Sequence, residues 1–229
     1  MKNKKDKNFE YNFFPSKTDF KKSFTWRIFR IMGEFIEGFE FISGLKGKTA
    51  TIFGGTHFSS TSPFYQEAEK LGRLLSKQGW TIVTGGGPGI MEAANKGAYE
   101  AGGKSVGMNI LLPREQVLNK YINKSEDFYY FFIRKTMLSM ASSVYIFFPG
   151  GYGTLDEFFE MLVLLQTKKL SHSVIIILVN KKYWQPLFDW FSKDLCQKYK
   201  TISKEDLKLF KIVDTAEEVI KQIKKVDIR

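Results

Sequence analysis

Two short runs in this chain combine the residue types that hold and cleave small anionic molecules. One is Gly85-Gly86-Gly87-Pro88-Gly89-Ile90-Met91-Glu92. The other is Pro149-Gly150-Gly151-Tyr152-Gly153-Thr154-Leu155-Asp156-Glu157. Glycine lets a backbone approach a ligand closely and adopt positive φ. Where such a turn opens a helix, free N–H groups and the positive end of the helix dipole suit a phosphate. Gly86 and Gly87 in the first run, and Gly150, Gly151 and Gly153 in the second, are therefore candidate phosphate contacts. The plain alternative for the first run is a tight strand-to-helix connection. Neither run is a nucleotide fingerprint, because the first lacks G-x-G-x-x-G spacing and the second lacks the Walker lysine. Thr154 can cap the second helix or bind a phosphate oxygen. Asp156 and Glu157 fall in that helix's first turn, where carboxylates also simply complement the dipole. A phosphate here needs a cation from elsewhere. Arg134-Lys135 can supply it, Arg134 by a bidentate contact, with surface solvation as the alternative.

The elements around these runs place them at the ends of strands. Ala50–Phe53, Trp80–Val83, Lys104–Met108, Phe128–Phe132, Val144–Phe148, Ser173–Val179 and Phe210–Val213 read as strands. Between them lie helical patterns at Pro63–Gln78, Ile90–Ala101, Arg134–Met140, Thr154–Gln166, Tyr183–Lys193 and Thr215–Lys224. Strands alternating with helices predict an α/β, Rossmann-like three-layer sandwich with a mostly parallel central sheet. Ligands of such sheets bind at the carboxyl ends of the strands, which is where both glycine runs fall. Ahead of this body, Trp26, Phe29, Met32, Phe35, Ile36 and Phe39 recur at three- and four-residue spacing. They predict an amphipathic helix over Thr25–Phe41 that docks on the body or on a second subunit. The expected division is a lysine-rich tail and helix over 1–45 and a nucleotide-binding catalytic domain over 46–229.

Composition narrows the function classes. The 229 residues carry 35 Lys+Arg against 24 Asp+Glu, a net charge of +11. Such an excess raises nucleic acid or an anionic surface as a partner. The excess is +5 over residues 1–48, +3 over 193–229 and only +3 over 49–192. No helix-turn-helix, RNP motif or zinc finger is visible, so the terminal lysines read as solvated and no nucleic-acid partner is expected. One cysteine, Cys196, excludes an intrachain disulfide, and with two histidines, His57 and His172, a zinc site is not expected. The longest aliphatic run, Val174–Val179, is too short for a bilayer, which needs about 20 residues. No apolar signal segment follows the charged N-terminus. The expectation is a soluble cytoplasmic protein with no membrane partner.

The segment Phe148-Pro149-Gly150-Gly151-Tyr152-Gly153-Thr154-Leu155-Asp156-Glu157 resembles the P-G-G-x-G-T-x-x-E signature of the LOG family, cytokinin riboside 5′-monophosphate phosphoribohydrolases. Some bacterial members carry the label "possible lysine decarboxylase". Thr25–Phe41, Thr84–Ala98, Tyr130–Met137 and Leu164–Ile177 resemble the family's longer bacterial branch, in its order and spacing, over about residues 20–195. The resemblance implies a Rossmann-like fold, at least a homodimer, and hydrolysis of a nucleoside 5′-monophosphate to free base and ribose 5-phosphate, with AMP or a cytokinin riboside monophosphate as substrate. It implies no metal or other cofactor. It assigns Arg134 and Glu157 as catalytic, and Gly150, Gly151, Gly153 and Thr154 as the phosphate turn. Lys135 is placed beside the ligand and Glu160 at a further acidic position near the site. The first strand's turn departs from the pattern: Gly54-Gly55-Thr56-His57 stands where relatives show Gly-Ser and then Arg. His57 reads as a loop residue in preference to a catalytic base.

Cleavage of an N-glycosidic bond passes through an oxocarbenium-like state, so Glu157 near C1′ would stabilise positive charge or activate water. Arg134 would orient the ribose phosphate or Glu157. Two other classes compete. A nucleotide-binding or sensing protein would bind AMP without releasing adenine. A pyridoxal phosphate decarboxylase needs a Schiff-base lysine with a pyridinium partner, and no lysine here stands in that context.

Overall fold

The computed structural model describes residues 24–111, 118–170 and 174–225. The Lys2–Lys7 run, His172 and Ser173 lie outside them. Seven strands form one sheet: β1 (Thr49–Phe53), β2 (Thr81–Thr84), β3 (Ser105–Ile110), β4 (Lys124–Phe128), β5 (Val144–Phe147), β6 (Ile175–Val179) and β7 (Phe210–Val213). Their order is β4-β3-β2-β1-β5-β6-β7, and every pairing is parallel. The helices are α1 (Phe24–Ser43), α2 (Pro63–Lys77), α3 (Ile90–Glu100), α4 (Phe131–Met140), α5 (Tyr152–Gln166), α6 (Lys181–Trp190) and α7 (Ala216–Ile223). A π-helical segment, Phe191–Lys198, continues α6 and contains Cys196.

Burial explains which strands the sequence announces. β1, β2 and β5 are buried at every residue, so they read as short apolar runs, as a parallel sheet covered on both faces requires. Successive residues feed opposite cores. Ala50, Ile52, Val144 and Ile146 join Leu71, Leu75 and Ile90 under α2, α3 and α7. Phe53, Tyr145 and Phe147 join Ile133, Phe158 and Trp184 under α4, α5 and α6. The edge strand β4 corrects one expectation. Strand pairing covers Lys124–Phe128, and Phe131 and Phe132 already belong to α4. The sequence KSEDF carries no apolar alternation because the strand is mostly exposed. Charge on an edge strand also discourages pairing with other chains. Its register is set by β3, with Val106 opposite Lys124 and Ile110 opposite Phe128.

The chain crosses the sheet in opposite directions from β1, outward through β2, β3 and β4 on one side and through β5, β6 and β7 on the other. The carboxyl ends of β1 and β5 therefore flank the topological switch point, where open α/β sheets bind ligands. Phe148–Gly151 follows β5 at this crevice. Gly54-Gly55 follows β1, and Gly85–Gly89 follows β2.

Candidate active site

Three turns meet at the crevice and are stitched by backbone hydrogen bonds. Gly55 N–H donates to the Pro149 carbonyl at 2.9 Å, and Ile90 N–H donates to the Gly55 carbonyl at 3.1 Å. The approach is too close for side chains at several points. A Cβ on Gly89 would overlap the backbone of Gly55 and Thr56, and Gly89 has a φ of 70°. A Cβ on Gly55 would lie 2.9 Å from the Phe58 ring and 3.4 Å from the Pro149 carbonyl. Glycine at position 55 is thus matched to Phe58, which gives a local reason for the departure from the Gly-Ser pattern. His57 is exposed on this loop.

The second glycine turn is the open part of the site. The N-cap of α5 is Gly151, with no side-chain cap, so the first N–H groups of the helix have no intrahelical partner. This corrects the reading of Thr154 as the cap. Thr154 sits in the first turn and is buried, and a Cβ on Gly150 would overlap its Oγ1. By contrast, a Cβ on Gly151 or Gly153 would meet nothing within 4 Å. The adjacent Tyr152 is 92% exposed, so the helix start is freely approachable. Tyr183 on α6 holds the turn from the other side, its hydroxyl donating to the Gly150 carbonyl at 2.5 Å.

The first glycine turn is closed by comparison. Gly86 and Gly87 are buried, and Gly86 has a φ of 77°. Asn119 clamps them: its backbone N–H donates to the Gly86 carbonyl, and its side-chain amide donates to the Gly86 and Gly87 carbonyls. The same amide reaches Asn95 Oδ1, which also accepts from Thr84, while Asn95 donates to Ser105. This buried polar network fixes the turn after β2. Asn119 and Tyr183 were not legible in the sequence, since an isolated Asn or Tyr outside a motif carries no signal.

α4 and α5 bring the charged candidates together. Phe158 is fully buried and packs against Phe147, Trp184 and Phe210 at 5.5, 5.4 and 5.6 Å between ring centroids. That cluster fixes the rotation of α5 and so the direction of its neighbour Glu157. Arg134 donates through Nε to the Met108 carbonyl at 2.8 Å and through Nη2 to the Gly85 carbonyl at 3.4 Å. The guanidinium is thereby held against the turn after β2. Burial lowers its pKa, and the negative charge of Glu157 works in the opposite direction. Lys135 is held in a carboxylate clamp, 2.6 Å from Asp156 and 3.0 Å from Glu160. Burial works against its charge, but these two hydrogen bonds outweigh it and its pKa is raised.

Glu157 stands among these charges and, among the described residues, accepts no hydrogen bond. Burial pushes its pKa up to about 7, against the pull of Lys135 and Arg134 and with help from Asp156 and Glu160. Desolvation without hydrogen bonding produces this shift. A carboxyl that titrates near neutrality suits proton transfer or transition-state charge stabilisation. Among the described residues no cluster of three or more His, Cys, Asp or Glu could hold a metal ion.

Residues 91–223, more than half of the chain, match the model of the family described as "Possible lysine decarboxylase". The chain is 28% identical over 145 residues to a rice (Oryza sativa subsp. japonica) protein named "Probable cytokinin riboside 5′-monophosphate phosphoribohydrolase", covering 62% of this chain and 58% of that one. It thus spans less than two thirds of that relative. It is 26% identical over 149 residues to a cytokinin riboside 5′-monophosphate phosphoribohydrolase of Rhodococcoides fascians, covering 62% of this chain and 73% of the relative. In structure it is similar to the molybdenum cofactor binding protein of Rippkaea orientalis. The TM-score is 0.60 at 23% identity, over 80% of this chain and 98% of the other, a likeness of fold.

Proposed function

This chain belongs to the family whose model it matches, the LOG or "possible lysine decarboxylase" family, and on that premise we propose that it hydrolyses the N-glycosidic bond of a nucleoside 5′-monophosphate. The products are free base and ribose 5-phosphate, and the substrate is AMP or a cytokinin riboside monophosphate. The reading rests chiefly on Glu157, a desolvated carboxyl that lies in the second turn of α5, not the first as a helix starting at Thr154 would have it, because α5 begins at Tyr152 beside the open glycine turn. In this reading the phosphate sits on the free N–H groups at the start of α5, over Gly151 and Gly153. Its binding energy positions the sugar. Arg134, fixed by the Met108 and Gly85 carbonyls, orients the ribose phosphate and Glu157.

Glu157 in its ionised form stabilises positive charge at C1′ as the bond to the base lengthens, or takes a proton from the attacking water. Water supplies the hydroxyl at C1′, and the departing base leaves with the bonding electron pair and gains a proton. Lys135, clamped by Asp156 and Glu160, sets the local charge and joins α4 to α5 beside Glu157. We read the working form as a homodimer, supported by the exposed apolar residues on α1, α4 and α5.

Base release from a panel of nucleoside monophosphates, with the unphosphorylated nucleosides as controls, tests the reading. Release from monophosphates and little from nucleosides is expected, and equal rates would refute phosphate anchoring. Glu157→Gln is expected to fold and to lose about 10²-fold or more of the turnover. Binding of AMP without any base release by the unaltered protein would instead support a sensing role.

A further inference from the structure

We infer that Glu34, on the helix ahead of the sheet, is a positioning residue for this reaction: its carboxylate supplies the missing N-terminal anchor of α4 and thereby sets the placement of Arg134. The inference rests on the proposed roles of Arg134 and Glu157. α1 lies outside the span matched by the family model, which begins at residue 91.

α4 starts without the usual devices. Its N-cap is Tyr130, which makes no side-chain cap, and its first turn holds no acidic residue. A helix start left this way exposes donors and a partial positive charge. Glu34 Oε2 accepts hydrogen bonds from the backbone N–H groups of both Tyr129 and Tyr130, each at 3.1 Å. The side chain is carried by a helix whose outer face is apolar and exposed, yet Glu34 itself is only 8% exposed. Burial of a carboxylate is costly unless its oxygens are satisfied. Here the other oxygen, Oε1, lies 3.5 Å from Arg30 Nε, and the Arg30 guanidinium stacks 3.8 Å over the Tyr129 ring.

The contact is backed by close packing one turn further along α1. A Cβ on Gly38 would lie 2.8 Å from Met137 of α4 and 3.1 Å from Phe128 of β4. The two helices therefore approach at glycine distance, and α4 cannot slide without breaking the Glu34 bonds. Arg134 lies one turn beyond that anchor, about 6 Å along the axis. Its N–H makes a helical hydrogen bond to the Tyr130 carbonyl at 3.2 Å, the residue that Glu34 holds. Movement of Tyr130 is thus passed directly to Arg134. From the present backbone height the guanidinium reaches both the Met108 and the Gly85 carbonyls. Displacement of about 1 Å at such a group can cost about 10²-fold in rate.

Two substitutions and two readouts test this. Glu34→Ala removes the anchor, and Glu34→Gln keeps an acceptor oxygen but no charge. The first readout is kcat/KM for base release from AMP, expected to fall about 10- to 100-fold in the alanine variant and several-fold in the glutamine variant. The second is the Glu157 titration by carbon-13 NMR of labelled protein, which needs no turnover. Lys135 and Arg134 lower the Glu157 pKa, and Asp156 and Glu160 raise it. Tyr145 also interacts with Glu157, which raises the Tyr145 pKa. Withdrawal of Arg134 alone therefore moves the Glu157 midpoint upward, more in the alanine than in the glutamine variant. A Glu157 midpoint unchanged in folded variants overturns the positioning role, whatever the rates. Should Glu34→Ala fail to fold, the glutamine variant decides in the same way. Absence of base release by the unaltered protein refutes the catalytic reading alone, because the titration still reports whether Glu34 sets Arg134 against Glu157.

Discussion

At the scale of single residues, the proposed chemistry concentrates on a carboxyl that folding makes uncomfortable. Glu157 ionises near 4.5 in an unfolded chain, but burial pushes it up to about 7 in the folded one. The folded state therefore holds the proton more tightly than the unfolded state between those values. Stability contributed by the protonated form is present below about pH 4.5 and is lost as pH rises toward 7. In the proposed reaction, activity that needs the carboxylate is expected to rise over the same range, so the group would gain function where it costs stability. Glu157→Gln has no such slope. It is expected to be about 1–3 kcal/mol more stable than the unaltered protein at pH 8, with the difference vanishing near pH 4. Urea unfolding at the two pH values measures this, and equal stability at pH 8 would show that Glu157 is not desolvated in the fold. Lys135 belongs to the same scale: its ammonium is engaged by Asp156 and Glu160, which lets it lower the charge cost at Glu157 through space without contacting it.

At the scale of elements, the site depends on how a strand end meets a helix start. The turn after β5 has two kinds of glycine. Gly150 is packed, since its Cβ would overlap Thr154 and approach the Gly55 nitrogen at 3.0 Å; Gly151 faces open space. Gly150→Ala is expected to lower the melting temperature and raise KM for a nucleotide together. Gly151→Ala, with an ordinary φ of −93° at the cap, is expected to keep the melting temperature and raise KM several-fold. The added methyl enters the space where the phosphate would lie. Thermal melts with steady-state kinetics separate the two, and an unchanged KM in Gly151→Ala would move the phosphate off this turn. The turn after β2 shows the other outcome of the same sequence chemistry: Gly86 and Gly87 are consumed by Asn119 and by the close packing of Leu118 over Gly86.

At the scale of the whole molecule, the layer of α1, α4 and α5 exposes several large apolar side chains. Phe29, Met32 and Ile36 on α1, Phe131 on α4, and Phe159 and Val163 on α5 are all more than a third exposed. Monomers seldom expose contiguous apolar patches beyond a few hundred Å². A homodimer at twice 26.5 kDa is expected by light scattering. Ile36→Lys is expected to shift it toward monomer while leaving α1 docked, because Glu34, Gly38 and Phe41 face inward. A dimer unaffected by that change would place the interface elsewhere. The +11 charge is likewise a property of the whole chain, with most of it outside the 49–192 region that carries both glycine turns. It can speed capture of anionic ligands without a track for a polyanion.

The strands β1, β2, β5 and β6, the helices between them and both glycine runs were legible in the sequence. Burial on both faces forces continuous apolar runs, and turns at strand ends demand glycine. The signature around Gly150–Glu157 carried the family as well. The edge strand β4 is not legible in its own residues, since an exposed strand owes its existence to the register of its neighbour and not to its own pattern. Only the tertiary structure decided that Gly151, rather than Thr154, caps α5, that Lys135 is held by Asp156 and Glu160, and that Arg134 leans on Met108 and Gly85. It alone joined Glu34 to Tyr130 across 96 residues of sequence. Local chemistry is written in neighbouring residues, but which charges meet, and how far each is stripped of water, is set by elements that the sequence does not place side by side.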